Sequence, residues 1–172
     1  MKRDGFTLIE LLIAVSILSL MMVFLYQSTA SLNKSNAFYK KKIEALLHHQ
    51  KIKKTILLDY TLANSIKILP QEKDEDVVFL QTRHSIHKNY NPYIAYIKKH
   101  SKLYRLESLT PFSKYPLSEE NHFIVDFLGK VNSFRVYKSK KEDTNQTSTT
   151  YLLHIDFQKA NDILMKLKPL NE

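Results

Sequence analysis

The stretch KRDGFTLIELLIAVSILSLMMVFLY, residues 2–26, decides the fold. Between Phe6 and Tyr26 only one side chain, that of Glu10, is charged. As a helix of about 20 residues rising about 1.5 Å per residue, this run extends roughly 30 Å, which is enough to cross the hydrocarbon core of a bilayer. It is too long for the apolar region of an ordinary secretory signal, in which an acidic residue would also be out of place. The sequence therefore predicts a helix that spans the membrane.

Glu10 is the residue in this run that needs a physical reason. A carboxylate at the centre of a spanning helix costs about 2.5–3.5 kcal/mol on insertion scales. If the chain is cut after Gly5, Phe6 becomes the new N-terminus, one helical turn from Glu10, and its α-amino group, with a pKa of about 8, is a cation. In a packed array of subunits, the carboxylate of one subunit can then pair with the amine of the next.

The segment Gly5-Phe6-Thr7-Leu8-Ile9-Glu10, after the basic Lys2-Arg3, resembles the cleavage and methylation site of type IV prepilins and of type II secretion pseudopilins. The resemblance implies cleavage between Gly5 and Phe6 and N-methylation of Phe6 by prepilin peptidase. It also implies that Glu10 aligns subunits during filament assembly. The alternative is a signal anchor that happens to contain a glutamate.

The predicted fold class is α+β and pilin-like, with one long N-terminal helix packed under an antiparallel β-sheet. We expect a leader peptide at 1–5, a transmembrane and assembly helix at 6–30, a stalk helix at 31–69 and a β-rich periplasmic domain at 70–172. Neither Pro nor Gly occurs from Phe6 to Leu69, so the helix is expected to run to about Ser65–Leu69 and to stop at Pro70. The resemblance places the protein in the inner membrane as a single-pass subunit, with its N-terminus cytoplasmic and its domain periplasmic.

Alternation of apolar and polar residues predicts the strands. Val77–Thr82 is one, and Tyr93–Lys98 with Leu103–Glu107 forms a hairpin. Further strands are expected around 123–127, at 134–137 and at 151–158. The polar segment Ser139–Thr150 is expected to be a loop, and Ala160–Leu167 a short terminal helix.

A second resemblance falls on the predicted hairpin. Tyr96 followed by Leu103-x-Arg105, behind a long helix that ends near Asp59–Leu69, is similar to the J-type minor pseudopilins and the W-type minor pilins. The absence of cysteine also favours a minor subunit, since many major pilins close a C-terminal loop with a disulfide.

Composition and motifs give little support to an enzyme or a metalloprotein. Gly129 is the only glycine after the leader, which nearly excludes a phosphate-binding loop, and no cofactor is expected. His84 and His87 have a spacing that occurs among metal ligands, but without cysteine we interpret them as surface histidines and expect no metal. The acidic run Glu72–Asp76 contains Lys73, and we interpret it as a solvated turn rather than a calcium site.

One modification motif stands in the predicted loop. Asp143-Thr144-Asn145-Gln146-Thr147 contains the sequon Asn-x-Thr, and the preceding acid resembles the extended sequon of bacterial periplasmic oligosaccharyltransferases. Asn145 is therefore a candidate glycosylation site.

The expected partners are other pilins or pseudopilins through the N-terminal helix, prepilin peptidase and the lipid of the inner membrane. Two alternatives stay open. The net charge of +9 allows a DNA-binding minor pilin of a competence pilus, whose exposed aromatic and basic residues would be Tyr93, Tyr96, Tyr104 and Arg105. The other alternative is a tethered periplasmic domain with no filament role.

Overall fold

The computed structural model describes residues 7–71, 75–117, 122–143 and 146–170, and only the backbone of residues 140–143 and 146–148. Its architecture is α+β: a single long helix, α1 (Leu8–Thr61), precedes a seven-stranded antiparallel sheet and packs against it. The strands follow each other in chain order across the sheet: β1 (Ala63–Leu69), β2 (Val77–Thr82), β3 (Tyr93–Lys99), β4 (Lys102–Ser108), β5 (Ile124–Asp143), β6 (Gln146–Phe157) and β7 (Ile163–Leu167).

The chain divides into two compact units, Met1–His48 and His49–Glu172. In the first, every large hydrophobic side chain from Leu8 to Tyr26 is at least 50% exposed, so no described residue of this unit covers this surface. The helix is long and apolar enough to cross a membrane. The hydroxyls of Ser16 and Ser19 donate to the carbonyls of Leu12 and Val15, both at 2.8 Å, so they suit an apolar environment.

In the second unit, the last turns of α1 bury one stripe against the sheet. Ile52, Ile56 and Tyr60 recur every four residues and are at most 4% exposed, as helical periodicity requires for a stripe facing one direction. The inward residues of the strands complete this core, among them Tyr96, Leu103, Phe134, Tyr151 and Ile155. A smaller apolar cluster lies on the other face of the sheet, which we call the outer face, around Phe79, Ile97, Leu106 and Phe112.

Most of the predicted strands are confirmed, with one change in their number. β2 covers Val77–Thr82 as expected, and the hairpin of β3 and β4 turns at His100 and Ser101, both at positive φ. The separate strands expected around 123–127 and 134–137 form one 20-residue strand, β5. Gly129 lies in it at a φ of 153°, and a Cβ there would lie 2.9 Å from Cε1 of Phe157, so glycine suits both the backbone and the space.

The predicted end of the helix is wrong. The helix stops at Thr61, and residues 63–69, expected to be helical up to Pro70, form β1. Ile66 and Ile68 have the period-two spacing of a strand, face Leu80 and Val78 of β2, and pack on the core. The helical spacing of Leu62, Ile66 and Leu69 was equally present, and pairing with β2 decided between the two.

Two further predictions near the C-terminus are wrong. Residues 139–143 and 146–150, expected to be a loop, continue β5 and β6, whose backbones pair from Ser139↔Thr150 to Asp143↔Gln146. Polar residues can extend a hairpin because the backbone supplies its hydrogen bonds, and threonine favours strands. The expected helix at 160–167 is instead the edge strand β7, which buries Ile163 and Leu167 beside β6.

Candidate functional site

The most distinctive polar site of the described residues is centred on the guanidinium of Arg105. Along β4, alternate residues face the helix, and these are Leu103, Arg105 and Glu107, all at most 1% exposed. Arg105 Nε donates to Asp59 Oδ2 at 2.7 Å, and Nη2 donates to Oδ1 at 3.3 Å. A fully buried charge is tolerated only when it is paired and hydrogen-bonded, and this bidentate geometry provides both.

Asp59 comes from the buried stripe of α1 and is itself fully buried. Besides Arg105, it accepts a hydrogen bond from the hydroxyl of Tyr96 in β3, at 2.5 Å. Nδ1 of His84 lies 2.6 Å from its other oxygen. One carboxylate thus connects the helix to β3, to β4 and to the loop between β2 and β3.

Glu107 extends the site along β4 and accepts hydrogen bonds from three side chains and from the backbone N–H of Ile86, which lies 3.3 Å from Oε2. Arg105 Nη1 donates to Glu107 Oε2 at 2.7 Å, while the Ser85 hydroxyl and the Asn89 amide donate to Oε1 at 2.5 and 2.8 Å. Arg105 Nη1 also lies 3.2 Å from Oδ2 of Asp126, in β5, which His87 Nε2 approaches to 3.0 Å. Arg105 therefore forms ion pairs with carboxylates from α1, β4 and β5 together.

Burial and hydrogen bonding shift the pKa in opposite directions for Arg105 and for Glu107. Burial lowers the pKa of Arg105, but hydrogen bonds and charge from Asp59 outweigh it and raise the pKa above the ordinary value, so Arg105 stays charged. Burial raises the pKa of Glu107, but hydrogen bonds from Ser85, Arg105 and Asn89 lower it to below its usual 4.5. Burial, followed by the charge of Asp59, raises the pKa of the Tyr96 hydroxyl, which remains a donor.

This arrangement joins the helix to the sheet. Tyr96 and Arg105 both donate to Asp59, and all three residues are fully buried. His87, Glu107 and Asp126 offer ligand atoms within 4.8 Å of one another, a grouping compatible with a metal ion. The guanidinium of Arg105 already supplies the positive charge to both of these carboxylates.

The histidines and the acidic run differ from expectation. His84 and His87, predicted to be surface residues, are half-buried and hydrogen-bonded to different carboxylates, Asp59 and Asp126. Within the acidic run, residues 72–74 lie outside the described residues. Asp76, expected to be solvated, is 4% exposed and accepts from the backbone N–H of Val136 at 2.8 Å, because a parallel bridge between Glu75 and Phe134 brings this turn against β5.

Of the residues predicted to guide processing, assembly and modification, only Glu10 lies among the described residues. Gly5, Phe6 and Asn145 lie outside them. Glu10 Oε2 accepts from the N–H and the hydroxyl of Thr7, at 2.9 and 2.8 Å, while Thr7 Oγ1 lies 3.4 Å from the N–H of Glu10. This reciprocal pair is a capping box at the start of α1.

The sequence pattern singled out Tyr96 and Arg105 on the hairpin, but it did not predict the roles of Asp59, Glu107 and Asp126. The available signal was an acidic residue three positions after Ile56 on the apolar stripe of the helix. A second signal was an arginine that alternates with Leu103 at an inward strand position. An acid and a base that are each predicted to be buried are expected to pair.

Residues 1–26 match the family model described as the prokaryotic N-terminal methylation motif. No curated protein and no solved structure matches this chain. The chain thus carries a prepilin-type methylation motif followed by a long apolar helix, a combination consistent with a type IV pilin-like protein.

We predict that Arg105→Gln lowers the free energy of unfolding of the sheet domain by about 3–5 kcal/mol, because Asp59 and Glu107 are left buried without their cation. Chemical denaturation of the full chain in detergent, followed by near-ultraviolet circular dichroism, measures the change. Lys166→Gln, at an exposed position in β7, is the control and should stay within about 0.5 kcal/mol of the native protein.

The double variant D59N/R105Q distinguishes this pair from general damage. It should lose about 0.5–3 kcal/mol less than the sum of the two single variants, since removing both charges leaves neither unpaired. Strictly additive losses would contradict the pairing.

A pH dependence follows from the lowered pKa of Glu107. Because its pKa is lower in the folded than in the unfolded chain, its ionised form stabilises the fold fully above the usual pKa of 4.5. This contribution is lost as the pH falls through the folded-state pKa. We expect the free energy of unfolding to decrease below pH 4.5, and to decrease less steeply in Glu107→Gln. Equal slopes in denaturation series of the two proteins would refute this account.

Proposed function

We propose that this protein is a minor pilin or pseudopilin, a structural subunit that prepilin peptidase cuts between Gly5 and Phe6 and methylates at Phe6. The subunit then assembles with homologous subunits into a type IV pilus or a type II secretion pseudopilus. The observation that carries this proposal is the methylation motif at 1–26, placed at the start of a helix whose apolar surface no described residue of its unit covers. A structural role rather than catalysis agrees with the motif.

In this proposal the first half of α1 is both the membrane anchor and the assembly surface. Before assembly, lipid covers the side chains from Leu8 to Tyr26; in a filament, the helices of other subunits replace the lipid. Ala14, Ser16 and Ser19 are small enough to allow close approach of two helices. The N-terminus is then cytoplasmic and the sheet domain periplasmic, attached to the inner membrane until assembly.

The contacts of Glu10 support an assembly role beyond the cap. Both hydrogen bonds from Thr7 go to Oε2, and within the described part of the chain Oε1 accepts none. The carboxylate can therefore keep its bond to Thr7 and accept another from the amine of a neighbouring Phe6. A paired carboxylate in lipid removes the cost that an unpaired one imposes.

The resemblance to J-type pseudopilins and W-type minor pilins rests on residues that share one partner. Tyr96 and Arg105 both donate to Asp59 at the end of the helix. This pairing accounts for the Tyr and the Arg by stability, and it supports a minor subunit of that kind.

The DNA-binding alternative loses two of its four residues. Tyr96 and Arg105 are fully buried and can neither stack on bases nor contact phosphates. Tyr93 and Tyr104 are half-buried. We therefore favour the structural subunit.

The proposal predicts that Glu10→Ala reduces incorporation into filaments by about tenfold or more, because loss of a desolvated charge pair costs several kcal/mol. Thr7→Ala is the matched control, since it removes the hydroxyl that contacts Glu10 and keeps both the backbone N–H of the cap and the carboxylate. It should assemble at nearly the native level. Quantitative immunoblotting of sheared filaments and membranes from the native host measures both.

Equal losses in Thr7→Ala and Glu10→Ala would show that Glu10 acts only as a helix cap. Mass spectrometry of the native N-terminus tests processing separately, with N-methylated Phe6 expected. A processed protein that never fractionates with other pilins would instead indicate a tethered domain without a filament role.

Glycosylation of Asn145 remains a prediction from the sequon. Asp143 and Thr147, on either side of it, belong to the paired ends of β5 and β6. Peptide mapping of protein from the native host should show a glycan mass on the peptide that contains Asn145 and none in Thr147→Ala. An unmodified Asn145 would remove the hypothesis.

A further inference from the structure

Three lysines stand side by side on the outer face of the sheet, on three neighbouring strands. Lys99 of β3 faces Lys102 of β4, which in turn faces Lys130 of β5. We call Lys99, Lys102 and Lys130 the lysine row. Like charges at directly facing positions destabilise a sheet, so the row has a cost that nothing in the fold requires.

The row has no counter-charge from the described part of the chain. All three side chains are exposed, and within the described residues none of them forms an ion pair. Neighbouring strands lie about 4.8 Å apart, so the row extends across roughly 10 Å. Two or more carboxylates, rather than a single anionic group, match positive charge spread over this distance.

An apolar groove of about 590 Å³ begins at one end of this row. Lys99 and His100 line it together with the buried Ile97 and Leu106. Val125, which is 52% exposed, also lines it. A concave, mostly apolar surface with polar groups at one end is the usual form of a binding site.

We propose that the groove and the lysine row together bind an extended segment of another polypeptide that carries at least two acidic residues beside apolar ones. The apolar side chains would lie in the groove, and the carboxylates would pair with the row. This site is distinct from the apolar surface of α1 and does not depend on the proposed assembly role.

Charge and shape favour a polypeptide over the other anionic partners. A lipid head group with a single phosphate offers one anionic group, whereas the row extends across roughly 10 Å. Single-stranded nucleic acid would need several exposed aromatic faces for stacking. Of the Phe and Tyr side chains that line this groove, Tyr104 and Tyr115 are half-buried and Phe123 is 36% exposed. In an extended peptide, side chains two positions apart lie about 7 Å from each other, so two carboxylates on one face fit within the roughly 10 Å of this row.

The test uses the full chain in nanodiscs and fluorescein-labelled peptides, with binding followed by anisotropy. The probe is Leu-Phe-Ile-Asp-Glu-Asp, and its matched control is Leu-Phe-Ile-Asn-Gln-Asn. Alternate side chains of an extended peptide share a face, so the two Asp can meet the row together, and we expect the control peptide to bind about tenfold more weakly because two exposed ion pairs are lost. Raising the salt concentration should remove most of this difference.

Variants locate the site. K99Q/K102Q/K130Q should weaken the acidic peptide about tenfold and leave the amide peptide unchanged, while Val125→Gln should weaken both. K40Q/K41Q/K42Q removes the same charge from the helix and should have no effect. If it weakens binding equally, net charge alone attracts the peptide and the proposal is wrong.

Two further measurements can overturn the proposal. A twelve-nucleotide oligothymidylate that binds more tightly than the peptide, and loses affinity in K99Q/K102Q/K130Q, would assign the site to nucleic acid. E119Q/E120Q changes two acids that follow the groove residue Leu117 and lie outside the described residues. Tenfold tighter peptide binding by this variant would mean that the chain's own carboxylates occupy the row.

Discussion

The buried charge pair between Arg105 and Asp59 is the contact on which the sheet domain depends most. Hydrophobic burial of Ile52, Ile56 and Tyr60 brings the end of the helix onto the sheet, but apolar contacts are non-directional and tolerate sliding. A bidentate guanidinium–carboxylate pair does not, because a shift of one residue in β4 would turn Arg105 to the outer face and leave Asp59 buried and unpaired. The pair therefore determines which face of β4 packs against the helix.

The charge pair lies within a network in which one guanidinium contacts three carboxylates. Arg105 contacts carboxylates from three elements. Ser85 and Asn89 donate to the Glu107 oxygen that it does not reach, and Tyr96 and His84 are further partners of the two Asp59 oxygens that it does reach. A network of this kind is stabilising only when every member is satisfied. The loop between β2 and β3 supplies three of these four groups, so its conformation is tied to the same buried site.

Much of the fold could be predicted from the sequence, and the failures share one cause. The span from Phe6 to Tyr26 and the hairpin of β3 and β4 are local patterns, with a long apolar run in one case and alternation around a short turn in the other. Residues 63–69 and 163–167 carried helical and strand periodicities together, and their neighbours β2 and β6 decided the outcome. The strand ends at 139–143 and 146–150 had no apolar signal, because there the pairing is made by the backbone.

The candidate site around Arg105 could be predicted only in part from the sequence, for a related reason. Asp59, Arg105 and Asp126 are far apart in sequence and meet only through the topology, whereas Glu10 was visible because it interrupts an apolar run. Both Glu10 and Asp59 are acids on the same helix. Asp59 has donors from Arg105, Tyr96 and His84 and needs nothing outside the subunit. Within the described chain, Glu10 has Thr7 as its only hydrogen-bond partner and no counter-charge, in a helix whose apolar surface is otherwise uncovered. A carboxylate in that position lowers its cost in lipid by meeting a cation, and a neighbouring N-terminal amine at the same depth is the cation that assembly would supply.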